Sequence, residues 1–196
     1  MRKVAILGWG SLLWNPGELR NRRQWQSDGP WLPIEFARTS NLNERNGRRP
    51  YLSLVTQPDV GLIRTYWDMS ALTEILKARA NLQTRENCGI SEVACLPAEG
   101  AIWSSAVPGL ESRVQDWLDR KKSDIDAVIW TNLDWKIPGV NKFTAEHAMN
   151  WLRALRNDGK SDTAEEYMRR APSQTDTCVR RQAREEFGWT DIPTGY

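Results

Sequence analysis

Apolar and polar positions alternate with strand-like period through the first third of the chain and take up a helical period toward its end. Residues 3–8 are a short apolar run, Val4-Ala5-Ile6-Leu7, that stops on glycine, as a buried strand does. Residues 31–38 place Leu32, Ile34 and Phe36 on one face. Residues 51–56 and 62–67 are rich in β-branched and aromatic side chains, and Gln57-Pro58-Asp59-Val60-Gly61 between them has turn chemistry, so the pair is expected as a hairpin. A helix follows. Ser70 is its candidate N-cap, Leu72, Ile75, Leu76 and Leu82 recur at helical spacing, and the pattern ends near Arg85-Glu86-Asn87 with Gly89 as the stop.

Residues 90–96, 101–104 and 126–131 read as further strands. Residues 109–121 carry Leu110, Val114, Trp117 and Leu118 on one helical face, and 144–157 carry Ala148, Trp151, Leu152 and Leu155. Thr163-x-x-Glu166 is a capping-box pattern, and Pro172 separates that helix from a last one near 175–187. The polar segment 40–49 is expected as a surface loop. Strands first, inserted helices and a helical tail predict an α+β chain on a mixed or antiparallel sheet. The expected organisation is a single domain over 1–196, its core spanning about 1–135 and its helical tail about 144–196.

Composition narrows the class. Of the 196 residues, 40% are hydrophobic and 27% charged, which is enough apolar material for a core. No apolar run approaches the roughly 20 residues of a spanning helix, so no membrane partner is expected. Arg2-Lys3 before an apolar run has the look of a signal peptide, but the run is short and Asn15-Pro16-Gly17-Glu18 follows without a small-residue cleavage site. The expectation is a cytoplasmic protein. Cys88, Cys95 and Cys178 form no CxxC pair and their odd number argues against a disulfide framework. With His147 the single histidine, a tetrahedral metal site is hard to assemble, and neither a metal nor a cofactor is expected. Basic and acidic residues nearly balance at 27 against 25, and the clusters Arg169-Arg170 and Arg180-Arg181 are interleaved with Glu165-Glu166 and Glu185-Glu186. That is the pattern of solvated helix faces, so nucleic acid is not an expected partner. Tryptophan is the outlier: 11 residues, more than Phe (3) and Tyr (4) together. Their scatter along the chain favours core and groove lining over a stacking platform for a sugar or base.

Chemistry concentrates at one junction, Gly8-Trp9-Gly10-Ser11-Leu12-Leu13-Trp14, which follows the first strand. Glycines there allow a sharp turn and a close backbone approach. The N–H groups of Gly10, Ser11 and Leu12 can then point into one concavity and hold an anion or a developing oxyanion. A dinucleotide fingerprint fails, because Leu13 stands where a third Gly or Ala is required and Asn15-Pro16-Gly17 interrupts the helix. A P-loop lacks its Gly-Lys-Ser/Thr, and Ser11 lacks the Gly-x-Ser-x-Gly context of a hydrolase nucleophile.

This loop resembles the Gly-Tyr-Gly-Ser-Leu-x-Trp signature of the γ-glutamylcyclotransferase-like family, in particular its ChaC-like branch, with Trp9 at the tyrosine position. The order of elements is similar over about residues 3–104; the tail from 144 lies outside the resemblance. The resemblance implies a sheet curled into a small barrel flanked by helices. It also implies that residues Trp9, Gly10, Ser11, Leu12, Leu13 and Trp14 hold a γ-glutamyl substrate, and that Glu86, in Leu82-Gln83-Thr84-Arg85-Glu86, acts as general base. The implied reaction is cyclisation of a γ-glutamyl amide or peptide to 5-oxoproline with release of an amine. It needs no protein nucleophile, only a carboxylate to move protons from an α-amine that is largely protonated near neutral pH.

Other residues carry weaker signals. Arg38 ends a strand and can meet a substrate carboxylate bidentately, although an exposed strand-end arginine is the plain reading. Cys88 and His147 can be drawn as a thiol–imidazole pair, but His147 reads first as a helix-face residue. A non-catalytic metabolite-binding or protein-interaction module on the same fold is the alternative function. Carbohydrate recognition by exposed indoles is a third.

Overall fold

The structure is a computed structural model that describes residues 2–40, 49–99, 107, 109–121 and 124–193. Its class is α+β. In chain order the elements are β1 (Val4–Gly8), β2 (Trp31–Ser40), β3 (Tyr51–Thr56), β4 (Leu62–Arg64), β5 (Tyr66–Met69), α1 (Ile75–Glu86), a 3-10 turn (Ile90–Glu92), β6 (Val93–Pro97), α2 (Leu110–Lys121), β7 (Ala127–Thr131), α3 (Ala145–Asn157), α4 (Asp162–Arg170) and α5 (Cys178–Phe187). The strands form one sheet of four and one of three, and no closed barrel is formed among the described residues. Contacts divide the chain into two compact units, Met1–Leu32 with Arg64–Leu133, and Pro33–Ile63 with Asp134–Tyr196.

The first unit is built on a mixed sheet of order β5-β1-β7-β6. β1 runs parallel to β7, while β5 pairs with β1 and β6 with β7 in antiparallel fashion. Every residue of β1 and β7 is buried, as befits central strands covered on both faces. Strand alternation sends Val4 and Ile6 of β1, Val93 and Cys95 of β6, and Ala127 and Ile129 of β7 to one face. There they meet Ile75, Ala78 and Leu82, one stripe of α1 at helical spacing. Leu12, Leu13 and Leu19, from the loop after β1, complete this core. Leu110, Val114, Trp117 and Leu118 are the buried stripe of α2, as their spacing predicts.

The second unit holds the sheet β3-β2-β4 and the last three helices. β2 and β3 are antiparallel, with a bulge between Phe36 and Arg38 that leaves Ala37 as the extra residue. Tyr167 of α4 stacks on Tyr51 (centroids 4.7 Å apart) and meets Phe36 edge-on, fixing that helix against the strands. Arg153 of α3 grips Glu186 of α5 with two bonds of 2.7 and 2.6 Å.

Several expectations are corrected. Residues 51–56 and 62–67 do not form a hairpin. β2 lies between β3 and β4, and the second segment divides at Thr65 into strands that join different sheets. Thr65 is the break because its N–H and hydroxyl both donate to the Pro30 carbonyl. Ser70 does not cap α1, which starts at Ile75 behind Glu74; Ser70 instead bridges Asn21 and accepts from the Leu72 N–H. The stop is Asn87, in the left-handed conformation at φ 50°, and not Gly89. Thr163 lies inside α4, whose N-cap position is Ser161. The caps of the other two tail helices are side-chain oxygens, Thr144 for α3 and Thr177 for α5. The strand expected at 101–104 and most of the loop expected at 40–49 lie outside the described residues. Among the described residues no helix is long and apolar enough to cross a membrane.

Candidate functional site

The loop after β1 folds back on itself immediately. Leu13 N–H donates to the Gly10 carbonyl (3.1 Å) and Asn15 N–H to the Ser11 carbonyl (2.8 Å), so residues 10–15 are two overlapping turns. Their side chains divide the work. Leu12 and Leu13 are buried in the core beneath the loop, Trp9 is buried, and Trp14 packs half-buried against that core. What the loop has left for a ligand is its backbone and the Ser11 hydroxyl. The N–H groups of Gly10, Ser11 and Leu12 take no acceptor among the described residues. Gly8 is glycine for a different reason from the one its sequence context suggests. A Cβ there would lie 2.8 and 2.9 Å from ring atoms of Trp25. The Trp25 ring occupies the space that a side chain would take.

α1 carries the other half of the site. Asn81 and Arg85 are four residues apart and share one helical face. Asn81 accepts from the Arg20 N–H (2.7 Å) and donates to the Glu18 carbonyl (3.1 Å). Arg85 donates to the Ser11 hydroxyl oxygen (3.0 Å) and to the Asn15 carbonyl (2.7 Å). The two side chains therefore tie both ends of the loop to the helix. Arg85 also meets Glu86, its Nη1 lying 3.1 Å from Oε1. The two side chains are only 15% and 18% exposed, so this is not a solvated surface pair. Burial raises the Glu86 carboxyl above the ordinary glutamate range, and the adjacent Arg85 cation opposes that shift. Among the residues expected here, the structure brings together the loop and Glu86 through Arg85.

Tyr66 belongs to the same neighbourhood and was not expected in it. It is the register partner of Gly8 across β1 and β5 and packs in the core with Leu12 and Leu13. Burial pushes its phenol above the usual tyrosine range, so it stays a proton donor. The available signal was the strand itself: an aromatic in a segment of strand pattern, whose pairing with β1 the sequence did not reveal.

Arg38 is engaged elsewhere. It belongs to the second unit, where its guanidinium donates to the Asp134 carbonyl (2.7 Å). His147 is likewise in the second unit, at the start of α3, its Nδ1 within 2.9 Å of the Thr144 hydroxyl and 3.0 Å of the Lys142 carbonyl. Cys88 packs half-buried against the core of the first unit. Among the described residues no group of three or more His, Cys, Asp or Glu is placed to hold a metal ion. Compared with known proteins, the chain matches no family model, no curated protein and no solved structure.

Proposed function

We propose that the chain is a γ-glutamyl cyclotransferase whose site is the loop of residues 9–14 together with Glu86, and that its fold is akin to the small-barrel fold of that family. The observation that carries the proposal is the Arg85 side chain, which joins the Ser11 hydroxyl to the Glu86 carboxylate in a largely buried cluster. It supports reading as one site two features that lie some 75 residues apart in the chain.

The chemistry follows from those groups. Ionised Glu86 takes a proton from the substrate's α-ammonium, freeing the nitrogen lone pair to attack the γ-carbonyl carbon. The N–H groups of Gly10, Ser11 and Leu12 are the donors for the oxygen as it becomes an oxyanion. Because Ser11 accepts from Arg85, its own proton is left to donate to the substrate. The γ-carbon to nitrogen bond then breaks, giving 5-oxoproline. The two protons shed by the α-nitrogen are the two gained by the departing amine, and Glu86 carries them. A carboxyl raised by burial suits both halves of that relay, since it accepts and returns protons nearer neutral pH than a solvated glutamate does.

The test is 5-oxoproline formation by the purified protein from a panel of γ-glutamyl peptides and amides, glutathione included. Glu86→Gln is expected to lower turnover at least about 100-fold, the low end of what a positioned general base contributes. Undiminished turnover in Glu86→Gln overturns the assignment of the base. One observation favours the second reading, a non-catalytic binding module: the Arg85 bonds to Ser11, Asn15 and Glu86 are also how a loop is fastened to a helix. That reading predicts a thermal shift with 5-oxoproline or a γ-glutamyl compound and no product from any of them.

A further inference from the structure

A γ-glutamyl group has three polar parts, and the chemistry proposed above provides for two of them. Glu86 serves the α-nitrogen and the loop amides serve the γ-carbonyl, which leaves the α-carboxylate. Topology narrows where its partner can come from. β1 and β7 are parallel, so their carboxyl ends lie at one edge of the sheet. β1 runs there into the loop of residues 9–14. Arg85, beside the last residue of α1, bonds to Ser11 (3.0 Å), so the C-terminal end of the helix is at that edge too. Ligands of sheets with parallel strands gather outside such carboxyl ends.

What β7 brings to that edge is Thr131, its last residue. Strand alternation fixes the direction of the side chain. Ala127 and Ile129 pack in one core with Ile75, Ala78 and Leu82 of α1, and Thr131 is the next residue on that face, paired with Val93 of the same core. Glu86 continues the helical stripe one turn past Leu82. Hydroxyl and carboxyl therefore belong to facing surfaces of strand and helix, at one end of their interface. The next residue, Asn132, donates its N–H to the Glu92 carbonyl (2.7 Å) and holds the strand end in place. Thr131 is only 8% exposed. Its hydroxyl bonds to no described residue and, unlike the indole N–H of neighbouring Trp130, is not sealed from solvent. Valine would take the same place without bringing a polar group into it. We propose, on the cyclotransferase reading, that the Thr131 hydroxyl donates to the α-carboxylate of the bound γ-glutamyl group and so selects substrates that carry one.

A 4-aminobutyryl amide is the probe, because it closes the same ring, to 2-pyrrolidinone, and has no carboxylate. Thr131→Val is expected to lower kcat/KM for the γ-glutamyl amide at least about ten-fold, the worth of one hydrogen bond to a charged group. Turnover of the 4-aminobutyryl amide of the same amine is expected to stay as it is, and Thr131→Ser to keep the preference. Since the hydroxyl has no partner among the described residues, Thr131→Val is expected not to lower the thermal unfolding temperature, which a structural hydroxyl would do. Calorimetric titration with 5-oxoproline and 2-pyrrolidinone repeats the comparison without turnover. A chain that forms neither lactam refutes the reaction, and the titration then decides the subsite by itself. Binding of neither compound, equal affinity for the two, a preference undiminished in Thr131→Val, or an equal loss on both substrates overturns the assignment of Thr131.

Discussion

Glu86 and Arg85 set opposite demands on one proton. Burial holds the Glu86 carboxyl above its ordinary range, and Arg85 pulls it back. A carboxyl raised on folding binds its proton more tightly in the native state, so its contribution to stability is full below the unfolded value and is lost as pH rises through the folded one. Urea unfolding across acid to neutral pH is therefore expected to show a decline in the unaltered protein that is smaller in Glu86→Gln. The same balance governs catalysis. Arg85→Met, which removes the cation, is expected to move the acid limb of the kcat profile to higher pH, and Arg85→Lys to restore much of its position. Tyr66→Phe removes only a hydroxyl; a fall in kcat of about ten-fold with unchanged thermal unfolding would mark it as a donor at the site, and no change would mark it as core alone.

At the scale of elements, close packing makes two glycines unequal. A Cβ on Gly8 meets the Trp25 ring, a side chain that can shift, whereas one on Gly29 lies 2.5 Å from the Thr65 hydroxyl oxygen and 2.6 Å from its carbonyl oxygen, which is backbone. Gly8→Ala is expected to cost about 1–3 kcal/mol by urea unfolding, as overpacking does, and Gly29→Ala more. Much of this level was legible in the sequence. The strand at 51–56 and the helices near 109–121 and 144–157 follow from their periodicity and caps. Two failures have physical causes. Turn residues at 57–61 show where the chain reverses, but not that β2 is the strand on which both neighbours pair. Ser70 and Leu72 predict a start for α1 that is too early, because the buried stripe begins at Ile75 and continues through Ala78 and Leu82, while Leu76 is 68% exposed. In the candidate site, the loop and Glu86 were legible from local motifs. Tyr66 was not, because its place there depends on the pairing of β5 with β1, segments far apart in the chain.

On the scale of the whole molecule, the chain crosses between its two units three times, so neither is one continuous segment. The tail 134–196 is therefore structural to residues 33–63. Thr39 N–H donates to the Lys136 carbonyl (2.8 Å), Lys136 N–H returns a bond to the Ala37 carbonyl (2.9 Å), and the first amides of α5 satisfy the buried Glu35 carboxylate. Removing residues 134–196 strips those partners from a strand pair and from the Glu35 carboxyl. A chain ending at residue 133 is expected to lose its cooperative thermal transition, followed by circular dichroism. The proposed chemistry lies wholly in the first unit, on the loop after β1 and the end of α1. It is tested most directly by following 5-oxoproline and free amine together as the purified chain turns over its best γ-glutamyl substrate. That chemistry requires the two to appear in equal amounts and both to fall at least about 100-fold in Glu86→Gln. Amine released without 5-oxoproline, or equal rates in the two proteins, would contradict it.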